Sequence, residues 1–276
     1  MDLEQNGYRL VWNDEFDDDT LDETKWTLRA DMSKMPDLSL AGTENPEVMS
    51  VSDGKLKLNS IESGLNENGD KLYTTTYSVT TFNKMRFQYG YLEISARVPF
   101  MQGAWPSFWL KTMEDDICPK NKADYMAETD IFEVFSSTEK AVPNIHKWYN
   151  DGSHTQAIWP SNPYITVKPY VFKDTTQLCD EYHTYGFEWT PEIMAMWVDG
   201  ERYNVFDLSA NWDERSDMSG FHDSVYILFN NHLFTKNSSF KPDGSEVDGR
   251  TKFPVCYWID YIRLYQKPDV GAIYLP

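Results

Sequence analysis

The sequence predicts an all-β fold, a sandwich or a barrel, and three observations carry the prediction. Apolar residues recur at every second position in several segments. Turn-forming residues punctuate those segments at short intervals. No long segment repeats its apolar residues with the period of a helix. In chain order, "GKLKLNSI" (54–61) sets Leu56 and Leu58 on one face. "YGYLEISARVPF" (89–100) turns Leu92, Ile94, Ala96 and Val98 one way and Glu93, Ser95 and Arg97 the other. "EIMAMWVDGERYNVF" (192–206) reads as two strands around Asp199-Gly200, a strong hairpin signal. "YWIDYIRLYQ" (257–266) is expected to place Trp258, Asp260, Ile262 and Leu264 on one face. "VSDG", "FMQG" and "YNDG" mark turns, and "DLSANWDERSDM" (207–218) has room for a short helix at most.

Composition bounds the function. The chain has 276 residues, 41% hydrophobic and 15% aromatic, which excludes a disordered chain and leaves material for a large core. There is no internal repeat, low-complexity tract or linker, so one domain over residues 1–276 is expected, with its core from about 8 to 267. A net charge of -19, from 44 acidic and 25 basic residues, argues against nucleic acid and anionic membranes as partners. It suits a neutral ligand or a metal cation, or serves solubility alone. Cys118, Cys179 and Cys256 are odd in number and far apart, so buried or free thiols are expected rather than a disulfide framework. "MDLEQNGYRLVWNDEF" is not a signal peptide, and no apolar stretch is long enough to span a membrane. A mature secreted, extracellular protein is expected, with an intracellular one as the alternative, and a monomer is expected.

"AETDIFEVF" (127–135) carries Glu128, Asp130 and Glu133 inside an otherwise apolar strand. On a regular strand Glu128 and Asp130 share a face and Glu133 takes the other. One β-bulge at Ile131–Phe132 brings Glu133 back to the first face. The Cα atoms of Glu128 and Glu133 then lie about 13 Å apart, four strand rises, and their side chains can lean toward one another. A carboxyl separation of about 5 to 6 Å is within reach, the spacing that a nucleophile and an acid/base need for glycoside cleavage with retention. Asp130 sits between them and can set their protonation states apart. A solvated acidic face or a calcium site would use the same residue types. The apolar flanks Ile131, Phe132, Val134 and Phe135 weigh against an exposed edge. In "GAWPSFWL" (103–110), Trp105 and Trp109 share a strand face and are either core residues or platforms for sugar rings.

These segments, with "LVWNDEFDDDTLDETKW", "YHTYGFEWTPE" and "WVDGE", stand in the order seen in glycoside hydrolase family 16, which the chain resembles over nearly its whole length. "ETDIFE" resembles the bulged motif of the laminarinase-type endo-β-1,3(4)-glucanases and the marine galactanases, among them agarases and carrageenases. The resemblance implies a β-jelly-roll of two curved antiparallel sheets with an open cleft on the concave face. It implies Glu128 as nucleophile, Glu133 as acid/base and Asp130 as the assisting carboxylate. Trp105 and Trp109 match an aromatic pair near the cleavage point. His146 in "NIHKWY" matches a histidine that contacts substrate or the acid/base, or is merely structural. Asn230 in "ILFNNHL" matches a cleft asparagine, with His232 beside it where relatives carry a small residue or Trp. His183 and Glu188 match a motif read as structural.

The resemblance further implies no catalytic cofactor and a structural calcium on the convex side, at Glu15, Gly54 and Asp260. It implies retaining hydrolysis of a β-linked polysaccharide, with β-1,3- or mixed-linkage β-1,3-1,4-glucan as the expected partner. The absence of the family's "NNELQ" stretch and of its cleft Arg, replaced here by Ser78, leaves the sugar open. With no basic patch evident near the cleft motifs, neutral glucan is preferred over a sulfated galactan. A transglycosylase would use the same residues, and a non-catalytic β-glucan-binding lectin would use the same fold.

Overall fold

The computed structural model describes residues 2–29, 39–40, 45–112, 125–138, 140–149, 151–157, 167–172, 181–209, 218–236, 238 and 242–276. Its strands form two sheets. The first runs in the order Glu201–Asp207, Ile193–Val198, His183–Trp189, Gly90–Arg97, Val255–Gln266, Leu56–Leu65, Lys71–Thr75 and Ser39–Leu40. Arg9–Asp14 also pairs with Val255–Gln266, and Met49–Val51 with Leu56–Leu65. The second runs His154–Gln156, Lys140–Tyr149, Tyr125–Glu133, Ala104–Thr112, Val225–Leu233, Ser78–Thr80 and Thr27–Arg29. All these pairings are antiparallel except the short one between Ser39–Leu40 and Lys71–Thr75. The result is the expected all-β jelly-roll sandwich. The only helical element among the described residues is the 3-10 turn Ser219–His222, and most of the segment expected to hold a short helix, 210–217, lies outside them.

The core lies between the sheets, as period two dictates. Leu56, Leu58, Leu92, Ile94 and Ala96 of the first sheet, with Val98 just past its strand, are buried in one core with Phe108, Leu110, Phe132, Ile145 and Phe229 of the second. At the Asp199-Gly200 turn, φ is 49° and 77° for the two residues, and Val198 pairs directly with Glu201. Two successive positive φ values make the tight turn whose twist matches antiparallel strands.

One expected face is corrected. In Val255–Gln266 the register shifts between Ile259 and Tyr261. Tyr257 and Ile259 are therefore buried ahead of the bulge, and Ile262 and Leu264 after it. Trp258 and Asp260 turn outward instead of joining Ile262 and Leu264, because an extra residue in one strand inverts the alternation. The Cys256 thiol is free, while Cys118 and Cys179 lie outside the described residues.

Phe132 is fully buried, with ring centroids 4.5 Å from Tyr185, 6.1 Å from Phe108 and 6.3 Å from Tyr257. It ties the bulge to both sheets. Phe132→Ala is expected to cost about 3–5 kcal/mol, read as a lower midpoint in urea unfolding.

Candidate active site

Ala104–Thr112 lies between Tyr125–Glu133 and Val225–Leu233, so its outward residues set out the site. Trp105 stands opposite His232, and Ser107 opposite Asn230 on one side and Glu133 on the other. Trp109 faces Leu228 and Asp130, and Lys111 faces Tyr226 and Glu128. The carboxylate strand keeps this alignment only through a bulge. Asp130 pairs with Asn144 and Glu133 with Val142, so Ile131 and Phe132 together oppose a single residue, Pro143. Both bulge residues point into the core, and Glu133 returns to the face of Glu128 and Asp130, as the sequence pattern requires.

Each carboxylate has its own partners. Trp105 Nε1 donates to Glu133 Oε1 at 2.8 Å. Trp148 Nε1 donates to Glu128 Oε2 at 3.0 Å. His146 Nε2 lies 2.9 Å from Asp130 Oδ2 and 3.8 Å from Glu128 Oε1. On its other side, His146 Nδ1 is 2.7 Å from His154 Nε2. Burial opposes a charge on His146, but Asp130 and Glu128 outweigh it and push its pKa up to about 9. A raised pKa favours the imidazolium, which can donate through Nε2 to Asp130 and through Nδ1 to His154; Asn144 Nδ2 also lies 2.8 Å from Nε2.

The two glutamates differ. Burial, followed by the negative charge of Asp130, holds the Glu133 carboxyl well above the usual carboxylate range. Burial also raises Glu128, but His146, Lys111 and the Trp148 donor oppose that rise. The site therefore favours a protonated Glu133 beside a more readily ionised Glu128, the division of labour that an acid and a nucleophile require.

Trp105 and Trp109 are half-buried on the outward face, not core residues. Trp105 stacks on Phe234, centroids 4.7 Å apart with planes 10° apart. Trp109 Nε1 donates to Asn230 Oδ1 at 2.6 Å, and Asn230 Nδ2 donates to Ser78 Oγ. His232 lies against Trp105 with centroids 6.2 Å apart, and its Nε2 is 2.9 Å from Asn230 Nδ2. Burial pushes the His232 pKa down to about 4, so it is neutral and accepts that hydrogen bond. His146, Asn230 and His232 were expected to touch substrate. All three are buried, and in this structure they hold carboxylates and tryptophans in place.

The expected calcium ligands do not fit a cation through their side chains. Glu15 gives both carboxylate oxygens to Arg263, at 2.9 and 2.7 Å. Asp260 lies 3.7 Å from Lys55 Nζ and accepts from Ser95 Oγ at 3.4 Å. Gly54 occupies a positive-φ turn, and Arg263 and Lys55 stand beside the two carboxylates of the expected set. The polar atoms of Glu128, Asp130 and His146 lie within 4.8 Å of one another, but His146 Nε2 is committed to Asp130, which makes this a proton network. His183 Nδ1 is 2.7 Å from Asp199 Oδ2 at the hairpin turn, in keeping with a structural role.

Sequence reasoning passed over Trp148, His154 and Lys111. Trp148 was legible, since it shares a strand face with His146. Lys111 shares one with Trp109, and Arg29 pairs opposite Ser78, so cations do reach this face although no basic patch shows in the sequence. His154 required the pairing across the "YNDG" turn.

A buried carboxyl with a raised pKa destabilises the fold increasingly as pH rises above its unfolded value of about 4.3. Glu133→Gln removes that penalty and is expected to stabilise the protein by roughly 1 kcal/mol at pH 7 and by much less near pH 4. Thermal unfolding at the two pH values checks it.

Comparison with known proteins adds the family. The family model for glycosyl hydrolases family 16 matches residues 38–225. The glucan endo-1,3-beta-glucosidase A1 of Niallia circulans is 23% identical over 277 residues, covering 95% of this chain but 38% of that protein. The beta-glucanase of Rhodothermus marinus is 25% identical over 272 residues, covering 94% of this chain and 85% of that one. A solved structure from work on endo-acting O-glycanases that human gut microbiota express to initiate mucin breakdown superposes with a TM-score of 0.72 at 23% identity, covering 95% of this chain and 92% of that one. With the matching model spanning more than half of its residues, this chain belongs to glycosyl hydrolases family 16.

Proposed function

We propose that this chain is a retaining endo-glycosidase that hydrolyses β-1,3- or mixed-linkage β-1,3-1,4-glucan by double displacement. The observation that carries the reading is the asymmetry of two glutamates on one strand face. Burial raises both carboxyls, Glu133 further than Glu128: the charge of His146 outweighs that of Asp130 at Glu128, whereas Asp130 outweighs His146 at Glu133. Glu128 attacks the anomeric carbon while Glu133 gives its proton to the departing glycosidic oxygen. The glycosyl-enzyme ester is then hydrolysed by water that the newly ionised Glu133 deprotonates, and two inversions give retention. Asp130, tied to the His146 imidazolium, keeps a compensated negative charge between the two. Two carboxylates suffice for this chemistry without a cofactor. Trp105 and Trp109 offer half-buried indole faces to the apolar faces of sugar rings. The glucanase names of the Niallia and Rhodothermus relatives support a glucan as substrate.

Reducing-sugar release from laminarin, barley mixed-linkage glucan, agarose, carrageenan, porphyran and a mucin O-glycan tests the assignment. Release from laminarin or barley glucan is expected, with Glu128→Gln and Glu133→Gln each losing at least about a thousandfold in kcat. Release from a galactan or O-glycan alone would keep the chemistry and overturn the substrate. Binding without release from any of them would mark a lectin.

A pH profile of kcat/KM is expected to be bell-shaped, its acid limb following ionisation of Glu128 and its alkaline limb the loss of the Glu133 proton. Because burial raises Glu133, the alkaline limb should lie well above the ordinary carboxylate range.

A further inference from the structure

His154 sits on the short strand His154–Gln156, outermost in the second sheet, with its side chain exposed. It makes two contacts that converge on the proposed nucleophile. Its ring stacks on Trp148, centroids 3.7 Å apart and planes 8° apart. The same ring lies nearly coplanar with His146, planes 6° apart, with Nε2 2.7 Å from His146 Nδ1. Trp148 and His146 are the two side chains through which Lys140–Tyr149 reaches Glu128, at 3.0 and 3.8 Å.

We propose that His154 is a positioning residue for the reaction: by accepting the His146 Nδ1–H hydrogen bond and stacking on Trp148, it fixes both groups where they meet Glu128. The inference rests on Glu128 being the nucleophile. A buried imidazolium has two N–H donors to satisfy. Asp130 takes one, and only a neutral His154 can take the other. Partial desolvation and then the charge of His146 push the His154 pKa down to about 4, so its lone pair stays available through the pH range of the reaction. Trp148 is 36% exposed; its Nε1 donates to Glu128, and its ring lies parallel to His146 at 5.9 Å and, closer, to His154 at 3.7 Å.

Other charges face these groups and do not pass through His154. Glu128 also faces Lys111 from Ala104–Thr112, and Asp130 on its own strand. His146 faces Asp130, Glu128 and Glu133. A response to changing His154 therefore reports the contacts with His146 and Trp148.

Three variants separate the two contacts. His154→Phe keeps a stacking ring and removes the acceptor, His154→Gln keeps an acceptor and removes the ring, and His154→Ala removes both. The side chain is exposed at a sheet edge, so all three should fold. On whichever polysaccharide the wild type cleaves, His154→Ala is expected to lower kcat roughly tenfold with KM changed less than about twofold, as loss of an outer partner of a functional group does. Its acid limb in kcat/KM should move to higher pH, because Glu128 loses fixed donors. NMR titration of the five histidines supplies a readout independent of turnover. The His146 midpoint should fall in His154→Phe and return toward the wild-type value in His154→Gln. An acid limb unchanged in His154→Ala, or a His146 midpoint unchanged in His154→Phe, overturns the inference. Full turnover by Glu128→Gln would instead remove the nucleophile assignment on which it rests, and that variant is measured alongside.

Discussion

A single extra residue in one strand is the constraint on which the site depends. Strand geometry alternates side chains strictly, so three carboxylates at 128, 130 and 133 cannot share a face without an irregularity. The two-against-one pairing of Ile131 and Phe132 with Pro143 supplies it. The bulge is held by burial: Ile131 and Phe132 both enter the core, where the Phe132 ring meets aromatic side chains from both sheets. Straightening the strand would move Glu133 inward and Phe132 outward. The chemistry of the outer face is thus anchored by hydrophobic packing on the inner one.

Placing three carboxylates together creates an electrostatic problem that neighbouring strands resolve. Like charges this close cannot all ionise in a partly desolvated site. His146 supplies a compensating charge at 2.9 Å from Asp130, which leaves the excess proton to Glu133. The tryptophans then distinguish the two glutamates by direction, Trp105 donating to Glu133 and Trp148 to Glu128. Both indoles serve hydrogen bonding as well as apolar contact, which accounts for tryptophan rather than phenylalanine at these positions. Asn230 and His232 extend the same logic beneath Trp105 and Trp109, where buried polar groups satisfy one another and brace the aromatic surface.

Much of this was legible in the sequence, and what was not has a physical reason. Alternation located Leu56, Leu58, Leu92, Ile94 and Ala96 in the core, and Asp199-Gly200 announced its hairpin, because both signals are local. The bulge at Ile131–Phe132 was legible because three functional side chains had to agree. The bulge near Asp260 carried no such cue, so Trp258 was given the wrong face. His146, Asn230 and His232 were singled out in the sequence, but their burial depends on what neighbouring strands lay over them. The sequence could not show that Arg263 and Lys55 reach Glu15 and Asp260, two of the residues expected to hold calcium. His154 was invisible because its meaning comes entirely from lying across a turn from Trp148.

The stereochemistry of the first product tests the central claim most directly. The bulge brings Glu128 and Glu133 to one face, and with the roles proposed for them the reaction is a double displacement. Proton NMR of the anomeric region during the first minutes of β-glucan cleavage should show the β-anomer appearing first, followed by slow mutarotation to the α-anomer. Initial appearance of the α-anomer would mean that water attacks directly, and would contradict Glu128 as the nucleophile.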